Sequence, residues 1–417
     1  MHNRRLSVLF LASSYPRHRA DPASVFLRDL ALQLAQESVQ IHVLAPGDGE
    51  YGTDVDGKVS IHRFRYWPGV RQRLAYGSGI LPNLKRSPLL WLHVPFFVIA
   101  MTIKMCRLLA TERIDLIHAH WLLPQGLIGV LGARLFCVPL IVSAHGSDAF
   151  ALRGRFFAAL KRWTVRRSTY WTANTRETAG AVAPGGRLPA PRIIPMGVDV
   201  ALFSRGDRTA LRQTISEGEF IVLFVGRLVE NKGCQELIEA LSRLREGTRS
   251  RVKLWIVGDG DERDRLQRAA RDLGLAARTE FFGAVEHRRL AAFYAAADLV
   301  VVPSKAGASG EAEGQNVVVL EAFAARACVL ATRLGGIPSM VRNRETGMLA
   351  EPANPQALAE AIESLLKDAD LRRTLSANAF AEVSKYDWHH VAGEFCGLYQ
   401  EAVDARRVAS GRAANKA

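Results

Sequence analysis

Residues 299–303 read Leu-Val-Val-Val-Pro, and residues 310–323 read Gly-Glu-Ala-Glu-Gly-Gln-Asn-Val-Val-Val-Leu-Glu-Ala-Phe. The first run is apolar and rich in β-branched residues, which predicts a buried strand of a parallel sheet. The second run is small and polar up to about Asn316 and apolar beyond it, which predicts a loop that leads into a helix. This succession of strand, loop and helix is typical of α/β folds.

Two carboxylates belong to this unit, because Glu313 lies just before the helix and Glu321 lies inside it. The first N–H groups of a helix have no partner within the helix, and the helix dipole favours negative charge there, so the loop and helix start predict an anion site. Carboxylates accept hydrogen bonds from sugar hydroxyls and do not bind phosphate directly. One carboxylate on each side of an anion site indicates a ligand with both phosphate and hydroxyl groups.

This pattern, continued by the residues 322–324 (Ala-Phe-Ala) and 335–338 (Gly-Gly-Ile-Pro), resembles the donor-site signature of the retaining GT-B glycosyltransferases. More narrowly, it is similar to the large bacterial family called glycosyl transferases group 1, or family 4. The resemblance implies an α/β protein of the GT-B class, with two Rossmann-like parallel-sheet domains that face each other across a cleft.

The resemblance also implies roles for single residues of this stretch. Glu313 is expected to contact the transferred sugar as a catalytic residue, and Glu321 to hold the ribose of the nucleotide. The diphosphate between them would be bound by backbone amides at Gln315, Asn316 and Val317.

A second candidate for diphosphate binding is the segment 226–233, which reads Gly-Arg-Leu-Val-Glu-Asn-Lys-Gly after an apolar strand at 220–225. Arg227 offers a planar fork of donors and Lys232 a point charge, and the flanking glycines allow a close approach of a pyrophosphate. The segment is not a Walker loop, since G-x-x-x-x-G-K-[ST] is absent. The resemblance assigns both cations to the donor diphosphate. It also assigns the nucleotide base to the segment that contains Ala284 and Val285.

The first third of the chain begins with a strand at 6–12, a helix at 24–36 and a second strand at 39–45. This opening is Rossmann-like, but no G-x-G-x-x-G follows the first strand. The main evidence for a dinucleotide-dependent oxidoreductase is therefore missing. We expect Tyr15, in the loop after the first strand, on the acceptor side.

Three histidines, His118, His120 and His145, lie at the carboxyl ends of two further predicted strands, where open α/β sheets bind ligands. We expect His118 in the core and His120 open to the cleft on the acceptor side. The turn at His145 resembles the strand-end His-Gly turn of the family. The resemblance therefore implies that His145 approaches the donor sugar and the reacting phosphate oxygen.

The composition is that of a globular protein, with 48% hydrophobic and 23% charged residues, and the length of 417 residues allows two or three domains. The net charge of +14 indicates an anionic partner, such as a membrane surface, a phosphorylated substrate or nucleic acid. Five scattered cysteines without a CxxC pattern favour a reduced, cytoplasmic protein without structural zinc. Asp259 and Asp261 have no neighbours in the sequence to complete a metal site, and the resemblance implies neither metal nor cofactor.

No signal peptide is predicted at the N-terminus, where a basic start leads into a short apolar run without a cleavage site. The apolar segment at 89–103 is interrupted by His93 and Pro95 and is shorter than the roughly 20 residues of a membrane span. The helix predicted over 89–110 is apolar nearly all round, so we expect a buried helix or one that lies at an interface.

The resemblance divides the chain into an acceptor-binding domain at 1–196, to which a helix at about 388–407 returns, and a donor-binding domain at 197–387. Residues 408–417 read as a disordered tail. The implied reaction is metal-independent transfer of a hexosyl group, with retention, to a glycan or lipid-linked saccharide in the synthesis of cell-surface polysaccharide or exopolysaccharide. Together with the basic charge, the apolar helix leads us to expect a cytoplasmic protein in peripheral contact with the anionic inner face of the cell membrane.

Two other functions fit parts of the sequence. A nucleotide-sugar 2-epimerase of the same fold would bind the same donor and release an altered sugar nucleotide without an acceptor. A non-enzymatic basic protein that binds nucleic acid or a membrane would need a localised basic and aromatic face, whereas the charges are spread along the chain, so we expect no nucleic-acid partner.

Overall fold

In a computed structural model, the chain forms two compact units, of which one comprises residues 1–195 and 388–417 and the other residues 196–387. The described residues are 5–18, 21, 23–49, 51–68, 72–77, 79–152, 154–182, 184, 187–213, 215–307 and 314–414.

The first unit is built on a sheet of eight strands in the order β3-β4-β2-β1-β5-β6-β7-β8, in which only the β3–β4 pair is antiparallel. The strands are β1 (Ser7–Leu11), β2 (Gln40–Pro46), β3 (Gly52–Asp56), β4 (Val59–Phe64), β5 (Leu116–His120), β6 (Leu140–Ala144), β7 (Tyr170–Ala173) and β8 (Arg192–Ile193). β1, β5 and β6 are buried at every position, which explains the mostly apolar sequences of β1 and β6, whereas β5 buries His118 and His120.

Helices cover this sheet, and three of them, α3, α4 and α6, contribute to one apolar cluster on a single face of it. The helices that precede the crossing to the second unit are α1 (Val25–Gln36), α2 (Ile80–Arg86), α3 (His93–Thr111), α4 (Leu127–Leu135), α5 (Ser147–Phe150), α6 (Arg155–Arg167) and α7 (Arg176–Val182). A 3₁₀ turn at Pro88–Leu92 leads directly into α3, so the helix predicted over 89–110 is present in two parts.

The second unit has six strands in the order β11-β10-β9-β12-β13-β14, and all their pairings are parallel. They are β9 (Phe220–Val225), β10 (Val252–Val257), β11 (Thr279–Gly283), β12 (Leu299–Val302), β13 (Val329–Thr332) and β14 (Met348–Ala350). Alternate residues of β9 pack into two different apolar clusters, with Ile221 and Leu223 in one and Val222 and Phe224 in the other. Both faces of the sheet are therefore covered, as the apolar strands predicted.

The helices of the second unit vary from single turns to four turns in length. They are α8 (Val200–Ser204), α9 (Thr209–Arg212), α10 (Cys234–Ser242), α11 (Glu246–Arg249), α12 (Arg263–Asp272), α13 (Leu290–Ala296), α14 (Val317–Ala324), α15 (Ile337–Met340), α16 (Pro355–Lys367) and α17 (Ala369–Val383).

The last helix, α18 (Trp388–Ala414), belongs to the first unit, where it packs against α1 and buries Phe395 and Tyr399 completely. It continues beyond 407, so disorder predicted from 408 onward is wrong for 408–414, while 415–417 lie outside the described residues. The segment that extends the helix contains three alanines and Arg412, which are good helix formers.

Candidate active site

In the second sheet the chain moves outward from β9 to β10 and β11, and then returns to the other side of β9 with β12. β9 and β12 are therefore the neighbours between which the strand order reverses. Open α/β sheets bind ligands beside the carboxyl ends of the strands at such a point. The described residues that leave these two strands are 226–233 after β9, and 303–307 with 314–316 after β12.

The two loops are in direct contact. The backbone N–H of Lys305 donates to the carbonyl of Asn231 at 3.0 Å, and its Nζ lies 2.7 Å from Oε1 of Glu236. Gly233 has a φ of 71°, and a Cβ added there would lie 1.8 Å from the carbonyl oxygen of Pro303. Only glycine allows both the left-handed backbone and this close approach, so Gly233 sets the distance between the loops.

Both predicted diphosphate-binding cations lie in the loop after β9. Arg227 follows the strand and is exposed, and Lys232 closes a 3₁₀ turn at Glu230–Lys232. Between them, Leu228 is fully buried, and its backbone N–H donates to the carbonyl of Asp259 at 2.9 Å. The loop is thus anchored in the core at its centre, with the cations on either side of the anchor. Their contact with a diphosphate stays a prediction.

Two of the residues predicted to bind the diphosphate, Gln315 and Asn316, use their side chains to fix the chain at the start of α14. Oδ1 of Asn316 accepts from the backbone N–H of Val318 at 3.2 Å and caps the helix. The amide of Gln315 pairs with both backbone groups of Met196, at 2.6 Å and 2.9 Å. A diphosphate contact from Gln315, Asn316 or Val317 would therefore come from backbone N–H groups, as the resemblance implies, and stays a prediction.

Glu321 is held by two partners that sequence reasoning missed. Its side chain accepts from the Tyr294 hydroxyl at 2.6 Å and lies 2.8 Å from Nε2 of His287, and the residue is 6% exposed. Burial and the neighbouring carboxylate raise the pKa of Tyr294 well above its usual value, so the phenol stays protonated and donates. A carboxylate has about four acceptor positions, so these bonds leave it acceptor capacity for ribose hydroxyls. A tyrosine in the otherwise apolar α13 was the available signal, because a buried phenol requires a partner.

The structure says less about the remaining residues predicted on the donor side, which are Ala284, Val285 and Glu313. Ala284 is exposed and Val285 partly buried, in the segment that leads from β11 to His287. They thus lie on the chain segment that supplies a partner of Glu321, and their contact with a base stays a prediction. Glu313 lies outside the described residues, together with 308–312, so its role also stays a prediction.

In the first unit, His118 is in the core as predicted, with Nδ1 2.7 Å from the Tyr399 hydroxyl and Nε2 2.6 Å from Oγ of Ser143. The prediction that His120 is open is wrong, because its side chain is 0% exposed. The reason is the period of the strand: residues two apart in β5 share a face, and the rings of His118 and His120 lie 4.0 Å apart. Nδ1 of His120 instead faces Nε2 of His145 at 3.1 Å.

His145 is partly buried between Phe26 and Trp121, and desolvation lowers the pKa of its imidazole to about 3. The ring is therefore neutral at pH 7. Its backbone N–H donates to Oδ1 of Asp148 at 3.0 Å, and Oδ2 of Asp148 accepts from the N–H of Leu122 at 2.8 Å. This buried aspartate, missed in the sequence, ties together the chain segments that follow β5 and β6.

Tyr15 was predicted on the acceptor side, but its side chain is 0% exposed. Its hydroxyl has no hydrogen-bond partner among the described residues. Burial raises the pKa of the phenol, and the Arg63 guanidinium lies 5.8 Å from the ring centre. The position next to the first strand was predicted correctly, but its accessibility was not, because packing of β4 and its neighbours closes over it.

Metal ligands are not clustered in the described part of the chain, where no group of three or more His, Cys, Asp or Glu residues could hold an ion. Metal independence remains an implication of the family.

Comparison with known proteins identifies both halves of the chain. Residues 23–202 match the family described as Glycosyltransferase Family 4, and residues 207–382 match Glycosyl transferases group 1. The chain is 30% identical to the D-inositol 3-phosphate glycosyltransferase of Acidothermus cellulolyticus, over 82% of this chain and 80% of that protein.

Solved structures of similar fold cover nearly the whole chain. Sucrose-phosphate synthase from Thermosynechococcus elongatus superposes with a TM-score of 0.81 at 23% identity, over 96% of this chain and all of the other. Anabaena HepE, solved in complex with UDP-glucose, superposes with a TM-score of 0.73 at 22% identity, over 95% and 100% of the two chains. These likenesses establish the fold as GT-B. The chain belongs to the retaining family-4 glycosyltransferases, also called glycosyl transferases group 1, which use nucleotide-sugar donors.

Proposed function

We propose that the protein is a hexosyltransferase that moves a sugar, with retention, from a nucleotide-diphosphate sugar to a glycan or a lipid-linked saccharide in the synthesis of cell-surface polysaccharide or exopolysaccharide. The observation that supports this proposal is the strand reversal between β9 and β12, from which the loop with Arg227 and Lys232 and the loop that leads into α14, the helix of Glu321, both start.

Cations would hold the diphosphate of the donor, and a carboxylate would accept hydrogen bonds from the hydroxyl groups of its ribose. As the bond to the sugar breaks, negative charge grows on the diphosphate, and two cations with a helix start are suited to stabilise it. Glu321, fixed by His287 and Tyr294, would accept hydrogen bonds from the ribose. The UDP-glucose in the Anabaena structure supports a uridine diphosphate sugar as the first donor to test.

His145 would act as a neutral hydrogen-bonding group at the reacting face. Its Nε2 is engaged with His120, while Nδ1 is buried without a partner among the residues described. If His120 donates in that pair, Nδ1 of His145 carries the proton and is the donor offered to a hydroxyl of the transferred sugar. We assign no general base.

We place the protein in the cytoplasm, in peripheral contact with the inner face of the cell membrane, where a lipid-linked acceptor would be found. The net charge of +14 and the apolar helix α3 support this location.

The experiment is to incubate the purified protein with UDP-, GDP- and ADP-sugars, first alone and then with lipid-linked saccharide or glycan acceptors. We expect one donor to raise the melting temperature, and an acceptor-dependent product whose anomeric configuration by NMR equals that of the donor. Release of an altered sugar nucleotide without an acceptor would instead identify an epimerase. No stabilisation by any nucleotide sugar would overturn the proposal.

A further inference from the structure

The outward face of α3 carries a row of exposed apolar side chains. Leu92, Phe96, Ile99 and Ile103 follow the three- and four-residue spacing of one helix face, and each is between 49% and 63% exposed. Leu89 and Trp91 extend the apolar surface into the preceding 3₁₀ turn and are also exposed. Exposed apolar side chains are normal when scattered, but a contiguous row indicates a binding surface.

The opposite face of the same helix belongs to the core. Phe97, Met101, Met105 and Leu108 are each at most 5% exposed. By length and composition alone, Pro88–Thr111 is apolar enough to cross a membrane. Crossing would pull the four inner side chains out of the core, and a large core side chain contributes about 2–5 kcal/mol to folding. The helix is therefore placed to lie along a surface with its outer row and to stay packed with its inner row.

Two neighbouring helices extend this surface. A Cβ added at Gly132 of α4 would lie 2.8 Å from Cε of Met105 in α3, and one at Gly126 would lie 2.6 Å from Cγ2 of Thr164 in α6. These close approaches join α3, α4 and α6 into one layer. The outward side chains of α4 and α6 include further exposed apolar groups, which are Leu131, Leu135, Phe156 and Trp163. We call the outward side of these three helices the α3–α4–α6 face.

The sequence around this face has an unusual charge. From 57 to 111 the chain contains no aspartate or glutamate, although it contains nine basic residues, which are Lys58, Arg63, Arg65, Arg71, Arg73, Lys85, Arg86, Lys104 and Arg107. This segment thus supplies +9 of the net +14 in about an eighth of the length. α6 adds four more basic residues that are not buried, Arg155, Arg162, Arg166 and Arg167, and again no acid, whereas its Lys161 is buried.

Several of these cations lie at the border of the apolar row. Lys85 and Arg86 end α2 just before the 3₁₀ turn, and Arg107 occupies the next position of the row after Ile103. On the flank, the Trp67 ring packs 5.3 Å from that of Phe96, and the side chain of Arg65 donates to the Trp67 carbonyl at 2.9 Å. An apolar row bordered by basic and aromatic side chains is the pattern of helices that lie in a bilayer interface.

We propose that the α3–α4–α6 face docks on an anionic lipid bilayer, with the outer row of α3 at the boundary between headgroups and acyl chains. This deepens the membrane contact proposed above by naming its surface, and it does not depend on the transfer reaction. A second copy of the chain fits this face less well than a bilayer does, because two faces of the same positive charge repel each other. An anionic bilayer matches both components, since acyl chains receive the apolar row and headgroups the cations.

The experiment is flotation of the full chain with vesicles of phosphatidylcholine alone or mixed with phosphatidylglycerol. One variant removes the row (Phe96→Asn, Ile99→Asn, Ile103→Asn), and a second removes border charges (Lys85→Gln, Arg86→Gln, Arg107→Gln). Matched controls are Leu273→Asn, an exposed leucine of the second unit, and Arg268→Gln with Arg271→Gln on α12. We expect binding to the anionic vesicles only, weakened by salt.

Each border charge removed should lower the partition coefficient about fivefold, so the second variant should bind roughly 100-fold more weakly. The first should lose at least tenfold, and the controls should bind as the wild type does. Equal flotation of the variants and the wild type, or equal binding to both vesicle types, would overturn the proposal. So would a dimer of the wild type that the first variant dissociates without vesicles, since the face would then be an interface between copies.

Nucleotide-sugar binding, measured on the same preparations by thermal shift, separates the two proposals. Loss of flotation with donor binding retained shows that the variants are folded and supports the docking face. If the wild type floats but binds no nucleotide sugar, the docking face stands and only the proposed transfer fails.

Discussion

The carboxyl ends of the central strands carry different kinds of chemistry in the two units. In the second unit, between β9 and β12, charged groups stand on loops and a helix begins. In the first unit, the carboxyl ends of β5 and β6 carry His120 and His145, which are desolvated and whose pKa values are lowered by burial. A neutral imidazole cannot attract phosphate by charge but can bind hydroxyl groups. We therefore expect the second unit to bind an anion and the first unit to bind uncharged groups.

The largest effect is expected where the second unit depends on a single glycine. Gly233→Ala puts a Cβ 1.8 Å from the Pro303 carbonyl at a left-handed φ, so we expect the free energy of unfolding to fall by about 2–4 kcal/mol. Urea denaturation measures this. Gly247→Ala in α11 is the control, because no atom lies within 4 Å of its added Cβ and the change should be neutral or slightly stabilising. Equal stability of the two variants would refute the role given to Gly233.

A smaller effect on the free energy of unfolding is expected when a hydroxyl group is removed from one of two buried tyrosines. Tyr294→Phe removes the hydroxyl that donates to Glu321, so we expect a loss of about 1.5–3 kcal/mol in unfolding free energy and weaker nucleotide binding. Tyr15→Phe removes a hydroxyl that has no partner in the described part of the chain, and should be neutral or stabilising. Thermal and urea denaturation of both variants test this pair. A stable Tyr294→Phe protein with normal nucleotide affinity would show that Glu321 does not need this support.

The smallest effect per substitution is expected in the pH dependence of the free energy of unfolding, to which histidines of the first unit contribute. Burial lowers the pKa of His145 to about 3 and that of His62 to about 4, from 6.5 in the unfolded chain. Between these values the unfolded chain binds more protons, so stability should fall as pH falls from about 6.5 to 4. Each histidine contributes about 1.4 kcal/mol per pH unit.

The measurement is the unfolding free energy of the first-unit transition from pH 7 to pH 4, for the wild type and for His62→Gln and His145→Gln. Each substitution should reduce the slope. A slope unaffected by both core substitutions would mean that these imidazoles take up protons in the folded state.

Sequence reasoning succeeded where a local pattern sets the local structure. Arg227 and Lys232 stand within one glycine-flanked loop, and the apolar run after Asn316 predicted the helix. It failed for Tyr15, because its burial depends on β4, which is distant in the chain, and for His120, because the two-residue period of β5 puts its side chain on the buried face of His118. The partners of Glu321 were missed because His287 precedes it by 34 positions and no local pattern joins them.

The central claim is that the second unit, and not the first, binds the diphosphate. The most direct test is titration calorimetry with whichever of the uridine, guanosine or adenosine diphosphates binds best, and it compares the wild type, Arg227→Ala with Lys232→Ala, and His145→Ala. We expect the double variant to bind about 100-fold more weakly, because two charge-assisted hydrogen bonds are lost, and His145→Ala to bind as the wild type does. Unchanged affinity in the double variant, or a large loss in His145→Ala, would contradict the account.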